Sequence, residues 1–400
     1  MSELKDLAWS VQEQVEPAPF DAIQRKGTKR RHRKQLLAAA GVGAATAVAI
    51  LAVLLPTELR RSESPPVATQ PNTSATAQPG PSREGEALIK SADATLDRFH
   101  YGTSASWMAG WSDCEPQPCR WAARLHRDGV SVATSVRNFA FTPVQYGDEV
   151  HAIALPQNKA SGDPLMASLT NLGYQERPLR NVAATSTFGS GEVLIGAGEL
   201  RVLNVANATL RPLRLPFNEV AHSPVQGPNN RWWIVSQAAG ASTSTPWHIS
   251  WTDDGGKSWK RHAVTDGHRP SRVAVSHDGQ TVIATSWKDG ATVEAIGSMV
   301  LSSDGGKTWR KVTGHPFARL AGPVAFGGGT GVIVGQGGEL NAPPTAYRIN
   351  SNGTAVKTDG WPQLRDDLAG DGKLLYGKSG PTSVAVSNNR GKDWQTVTPR

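Results

Sequence analysis

Hydrophobic positions along this chain fall into three regimes. Leu36 to Leu55 (LLAAAGVGAATAVAILAVLL) is a continuous run of twenty residues in which Thr46 is the one strong hydrogen-bonding side chain. A helix needs about that length to cross a hydrocarbon core. Arg25 to Lys34 (RKGTKRRHRK) places seven Lys/Arg before the run, against Arg60 and Arg61 shortly after it, and this asymmetry puts the N-terminus in the cytoplasm. The run is longer than the apolar core of a cleaved signal peptide and closes on Leu-Leu-Pro-Thr-Glu, so an uncleaved anchor is expected. Ahead of it, Leu4, Leu7, Ala8, Val11 and Val15 form one apolar stripe at helical spacing, stopped by Glu16-Pro17. So short a helix needs a cytoplasmic partner or the bilayer surface; a disordered stub is the alternative.

The second regime, Arg61 to about Gly85, is rich in Pro, Ser and Thr and nearly devoid of large apolar residues. It cannot bury enough surface to fold and reads as a stalk. The third is a long series of short apolar runs, several alternating with period two, interrupted by Gly and Pro. Runs of this kind, each read as the opening of a blade, recur at Ala105-Trp107-Ala109-Trp111, Val150 to Ile153, Glu192 to Ile195 and Arg231 to Val235, and near Val273, Val324 and Leu374. The expected division is a cytoplasmic stub (1–34), a transmembrane helix (35–56), a stalk (57–86) and an extracytoplasmic all-β domain (87–400).

Within the third regime one frame repeats. Thr252-Asp253-Asp254-Gly255-Gly256-Lys257-Ser258-Trp259 is followed by Ser302-Ser303-Asp304-Gly305-Gly306-Lys307-Thr308-Trp309 and by Ser387-Asn388-Asn389-Arg390-Gly391-Lys392-Asp393-Trp394. The frame is [S/T]-x-[D/N]-x-G-x-[S/T/D]-W. As a turn it makes physical sense: the hydroxyl and the carboxylate or amide bond backbone N–H groups, Gly supplies positive φ, and Trp returns to the apolar layer. The third copy has Asn389 for Asp and Asp393 for the hydroxyl residue, and a looser turn is expected there.

The frame resembles the Asp-box, or BNR repeat, of sialidases, sortilin-type receptors and many bacterial surface propellers. The resemblance implies a β-propeller with these turns as structural elements. The tryptophans stand 50 residues apart (Trp259 to Trp309) and 85 apart (Trp309 to Trp394), about one and two units of a four-stranded blade. An unmarked blade is therefore expected between the last two, over Val324 to Lys357 with the degenerate turn Asn350-Ser351-Asn352-Gly353. The runs fit seven blades; a sixfold, sialidase-like ring is the alternative. Stub, basic run, single helix, stalk and propeller together resemble membrane-anchored propellers of actinobacteria, some of which accompany sigma factors.

Composition narrows the chemistry. With 38% hydrophobic residues and 13 tryptophans, disorder throughout is excluded. The net charge of +8 splits into +3 for residues 1–34 (eight Lys/Arg, five Asp/Glu) and +5 for the rest (34 and 29); the membrane explains the basic run, and no nucleic-acid partner is expected. Cys114 and Cys119 are the only cysteines, which excludes a four-cysteine zinc site and a disulfide-dense scaffold. Outside the membrane they are expected to form a local disulfide, a metal-binding or nucleophilic pair being the alternative.

Catalytic motifs fail on context. The sialidase string [F/Y]-R-I-P has its nearest counterpart at Tyr347-Arg348-Ile349-Asn350, which follows the second repeat instead of preceding the first and has Asn for Pro, so Arg348 is expected to be a strand residue. Gly372 to Ser379 fits a phosphate-loop pattern, but its middle is an apolar strand and Gly380-Pro381 stand where a helix should begin. Gly327 to Gly331 reads as a blade turn, and His268 and His315 as loop residues. The expected function is a non-catalytic binding or scaffolding module for an envelope protein or glycan, with no metal and no cofactor. The alternatives are a sialidase-like glycoside hydrolase and a transmembrane signalling regulator.

Overall fold

The computed structural model describes residues 82–400 apart from short segments at 103–105, 115–118, 138–140, 156–162, 197–198, 242–244, 267, 289–295, 316–319, 337–343, 365 and 371–373. The chain divides into two compact units, Met1–Ser74 and Ala75–Arg400, and all the described residues belong to the second. The expected transmembrane run and N-terminal stripe lie outside them. Among the described residues no helix is long and apolar enough to cross a membrane.

The second unit is a seven-bladed β-propeller made of seven four-stranded sheets. In chain order the blades span 95–137, 141–178, 180–212, 219–264, 269–311, 320–358 and 366–397, numbered 1 to 7 below. Six are antiparallel meanders in sequence order. Blade 3 departs: three antiparallel strands, Glu192–Ile195, Arg201–Asn204 and Thr209–Pro212, carry Arg180–Asn181 in parallel along the outer edge of the third. The segment between that edge strand and Glu192 is free to fold over blade 4, where Phe188 N donates to Gly255 O (2.8 Å).

First strands of neighbouring blades touch one another around a central axis, with Glu192–Ile195 filling the place in blade 3. The second strands are the most hydrophobic: Trp111, Trp233, Ile153 and Ile283 are fully buried and stack into the seams between blades. No strand is shared between blades 7 and 1; the ring closes by packing. Leu96 N donates to Pro381 O (2.7 Å), and Leu96, Trp111, Tyr376 and Val384 share one apolar cluster. Arg400 lies over the Trp111 ring, 5.4 Å from its centroid. At such a seam the aromatic area removed from water is the main stabilising term.

Helix α1, Arg83–Lys90, lies ahead of blade 1. Ser82 caps it by accepting from Gly85 N, and Leu88 and Ile89 bury against blade 1. Gly85 is required because a Cβ there would meet Thr134 O at 2.9 Å. Helix α1 thus starts at Arg83, inside what composition marks as the end of the stalk. Capping and one buried apolar pair suffice to order a segment that is otherwise polar.

Cys114 and Cys119 are disulfide-bonded. The bond closes the turn between Trp107–Asp113 and Arg120–Arg127, where the register places Asp113 opposite Arg120 and the two side chains form an ion pair.

Candidate functional site

The three repeated segments are the turns between the third and fourth strands of blades 4, 5 and 7. In each, the first residue is a buried hydroxyl at the centre of the turn. Thr252 Oγ1 donates to Asp254 Oδ1 (2.8 Å) and accepts from Gly256 N (2.9 Å). Asp254 Oδ1 also accepts from Ser258 N (2.9 Å) and its Oδ2 from Ser258 Oγ (2.6 Å). Ser302, Asp304, Gly306 and Thr308 repeat this set, with 2.9, 2.8, 2.9 and 2.6 Å for the corresponding bonds. Gly256, Gly306 and Gly391 have φ of 86°, 89° and 82°, the left-handed conformation that the frame assigns to glycine.

The third turn is no looser. Ser387 Oγ donates to Asn389 Oδ1 (2.9 Å) and accepts from Gly391 N (2.9 Å), and Asp393 N donates to Asn389 Oδ1 (2.9 Å). The last bond is reversed: Asn389 Nδ2 donates to Asp393 Oδ2 (2.6 Å), where elsewhere a hydroxyl donates to the aspartate. Two substitutions compensate each other and keep the network closed. Trp309 and Trp394 each donate Nε1 to the turn glycine's carbonyl (3.1 Å), and with Trp259 they pack half-buried against blade clusters.

Three donors to Asp254 and four to Asp304 hold these carboxyls low. Hydrogen bonds from Ser258 and Thr252 bring Asp254 to about 2. At Asp304 partial desolvation works upward, but the bonds from Thr308, Ser302 and Lys307 outweigh it and again give about 2. Carboxylates so fully engaged have little left for a substrate. The degenerate turn of blade 6 closes with Asn350 and Asn352 (Gly353 N to Asn350 O and Thr354 N to Asn352 Oδ1, both 2.9 Å). A related turn that the frame did not select joins the first two strands of blade 5: Ser276 Oγ donates to Asp278 Oδ1 (2.5 Å) and accepts from Thr281 N (2.9 Å). Its signal was the string Ser-x-Asp-Gly at 276–279, without the tryptophan that guided the alignment.

The inner strands differ in kind. Five of them break register at corresponding places: at Asp97 in blade 1, at Ser223-Pro224 in blade 4, at Ser271 in blade 5, at Gly322-Pro323 in blade 6 and within Asp366–Ala369 in blade 7. Ser223 takes a positive φ of 53°, a costly conformation for a side-chain-bearing residue. Bulges re-aim side chains and are enriched beside functional sites. Here the breaks fall at Asp97, Ser223 and Ser271 of the innermost strands, with Arg98 and Arg272 next in sequence. Gly322 leaves room for its neighbour across the seam, since a Cβ there would lie 2.9 Å from Arg272 Nη1. Sequence reading missed three of these five strands, those of blades 1, 4 and 7, where a bulge destroys the alternation used to find strands. Of the seven runs read as blade openings, those at Glu192, Val273 and Val324 fall on inner strands, whereas those at Trp107, Val150, Trp232 and Leu374 mark second strands.

Other titratable groups are spent inside blades or at the closing seam. His151 Nδ1 hydrogen-bonds Ser168 Oγ (2.7 Å) with both residues fully buried, and burial with Arg177 and Arg127 nearby pushes it down to about 4. Burial likewise lowers His100 to about 4, where it meets Tyr376 Oη (2.9 Å) across the closing seam. Glu219 accepts from Ser236 Oγ (2.6 Å) and pairs with His248 (2.9 Å) and Arg261. Arg348 is an exposed residue of the third strand of blade 6, opposite Val332 and Val356, away from the axis. Lys378 of the phosphate-loop-like string lies in the strand Leu375–Lys378, and Gly327 to Gly329 form a turn, as expected. Among the described residues no group of His, Cys, Asp and Glu is placed to hold a metal.

No protein-family model matches this chain, and no curated protein matches it. Solved structures similar in fold include TolB from Acinetobacter baumannii (14% identity, 65% of this chain over 67% of that one, TM-score 0.35). Trypanosoma rangeli sialidase in complex with the inhibitor DANA is another (12%, 75% over 53%, TM-score 0.35), as is Pyrococcus horikoshii acylaminoacyl peptidase (10%, 76% over 52%, TM-score 0.47). The chain spans about half the length of the last two. These distant neighbours include hydrolases; the fold assignment itself rests on the strand pairing above.

Proposed function

We propose that this chain is a single-pass membrane protein, N-terminus in the cytoplasm, whose extracytoplasmic propeller is a non-catalytic binding or scaffolding module for an envelope protein or glycan. In this reading the turns at 252–259, 302–309 and 387–394 are Asp-boxes that fix the blades and stand apart from the axial binding surface. The observation that carries it is the convergence on one axis of five inner strands that break register, with Asp97, Ser223 and Ser271 at three of the breaks. A propeller offers a ligand its central channel, and irregular strands there are what a binding surface needs and a packing surface avoids. The sialidase alternative loses its one candidate clamp, because Arg348 is on an exposed third strand.

The test is co-purification from gently solubilised membranes of the full chain, the full chain with Ser271→Trp at the axis, and a chain lacking Met1 to Gln24 but keeping the basic run. An envelope partner held by the first and third and lost from the second is the expected result. Retention by Ser271→Trp would reject the axial site. A partner lost only with the N-terminal deletion would move function to the cytoplasmic stripe and make the protein a transmembrane regulator.

A further inference from the structure

A second opening in the fold lies away from the axis, at the turn end of blades 3 and 4. It is a half-open cleft of about 450 Å³ between the 187–190 segment and the turn at 253–257, large enough for a small ligand. Phe188 and Trp232, edge to face at 6.2 Å and both buried, make its floor. The cleft exists because blade 3 sends its connecting segment inward and anchors it on Gly255, whose φ of 70° leaves no side chain in the way.

The ligand chemistry follows from which hydrogen-bonding groups of the wall are already used. Its two carboxylates are engaged: Asp253 by Arg231 and by Lys260 Nζ (2.9 Å), Asp254 by Thr252 and Ser258 as described. The amide oxygen of Asn230 accepts from Gln226 (3.3 Å), leaving its N–H₂ to donate. Arg211 gives one terminal nitrogen to Glu192 (2.7 Å) and keeps the other. Lys257 and Ser190 are exposed and have no polar partner among the described residues. With immediate neighbours included, four cations (Arg211, Lys257, Arg231, Lys260) face three anions (Glu192, Asp253, Asp254), an excess of one, and Lys257 forms no ion pair among the described residues. The cleft therefore presents donors, one of them a cation without an ion pair, above an apolar floor. Such a wall rewards anionic oxygen acceptors and gives little to a neutral ligand.

We infer that this cleft binds a saccharide bearing a carboxylate or a phosphate, its ring against Phe188 and Trp232 and its anionic group held by Lys257 and Arg211. The site is independent of the axial one: Ser271→Trp leaves it intact, and its own variants leave the axis intact.

Calorimetric titration of the detergent-solubilised full chain tests it, with galacturonate, glucose 6-phosphate, inorganic phosphate and neutral galactose as probes. At least one anionic sugar is expected to bind at least tenfold more tightly than galactose. Lys257→Glu should weaken that binding at least tenfold and Lys257→Gln about threefold, both with unchanged melting because the residue is exposed. A preference for galacturonate or for glucose 6-phosphate identifies the group as carboxylate or phosphate. Galactose binding equally well, inorganic phosphate binding as tightly as the sugars, no saturation by any probe up to roughly 10 mM, or indifference to Lys257→Glu would each overturn the inference.

Discussion

The outer turns and the inner strands of this propeller obey opposite rules. The turns at 252–259, 302–309 and 387–394 repeat one hydrogen-bond set almost bond for bond, even where Asn389 and Asp393 exchange donor and acceptor. The inner strands share a position for irregularity and nothing else: Asp97, Ser223-Pro224, Ser271 and Gly322-Pro323 have no common chemistry. A network that satisfies itself is a structural device, because no donor or acceptor is left over for another molecule. Irregular strands with differing polar residues are where one propeller can be made to recognise something that another does not.

Four measurements would break or sharpen this contrast. The largest effect is expected at Gly306, where φ is 89° and a Cβ would meet Trp233 Cη2 at 2.7 Å. Gly306→Val should cost about 3–5 kcal/mol by urea unfolding, the sum of left-handed strain and overpacking; a cost under about 1 kcal/mol would mean that the turn yields and is not a rigid clamp.

Acid should open the seams before the turns. His100 and His151 sit near 4 when folded against an ordinary 6.5, so the unfolded chain takes up protons first and stability falls as pH drops from 6.5 towards 4. The loss is on the order of 3 kcal/mol for each at most. Asp254 and Asp304, near 2 against an ordinary 3.8, contribute stability above 3.8 that is lost only as pH falls further towards 2. Urea midpoints at neutral, mildly acidic and strongly acidic pH should therefore show a histidine phase that His151→Gln reduces. A single transition confined to strongly acidic pH would contradict the order.

The reversed bond in the third turn makes a double-substitution test. Asn389→Asp alone sets two carboxylates at the present 2.6 Å contact and should cost about 1–3 kcal/mol at neutral pH. Adding Asp393→Ser recreates the chemistry of the other two turns and should return stability to within about 0.5 kcal/mol. Failure of the second change to rescue would show that the turns are not interchangeable. The smallest effect is expected at the axis: Ser271→Ala should shift stability by no more than about 0.5 kcal/mol. A loss several times larger would assign the bulge to packing and remove its claim as a binding surface.

Much of the outer architecture was legible in sequence because it is local. The turn frame needs residues at most seven apart, its glycines need positive φ, and its tryptophans space the blades, so the repeat, the blade between Trp309 and Trp394, and the count of seven could all be read. The disulfide was legible for the same reason, its cysteines lying five residues apart. Of the bulged inner strands, those of blades 1, 4 and 7 were not, since a bulge breaks period-two alternation. Nor was helix α1, which Ser82 caps and the Leu88-Ile89 pair anchors, because its reason to form is the surface of blade 1.

Sequence by itself determined the closed turn, the apolar second strands and the number of units, because each follows from contacts within a few residues or within one hairpin. Tertiary structure decided what lies at the axis, how blade 7 meets blade 1 without a shared strand, and that the segment after Arg180–Asn181 crosses to Gly255 to make a cleft. These depend on groups brought together across the ring, such as His100 with Tyr376, 276 residues apart. No local pattern records that closure; only the packing of seven sheets around one axis does.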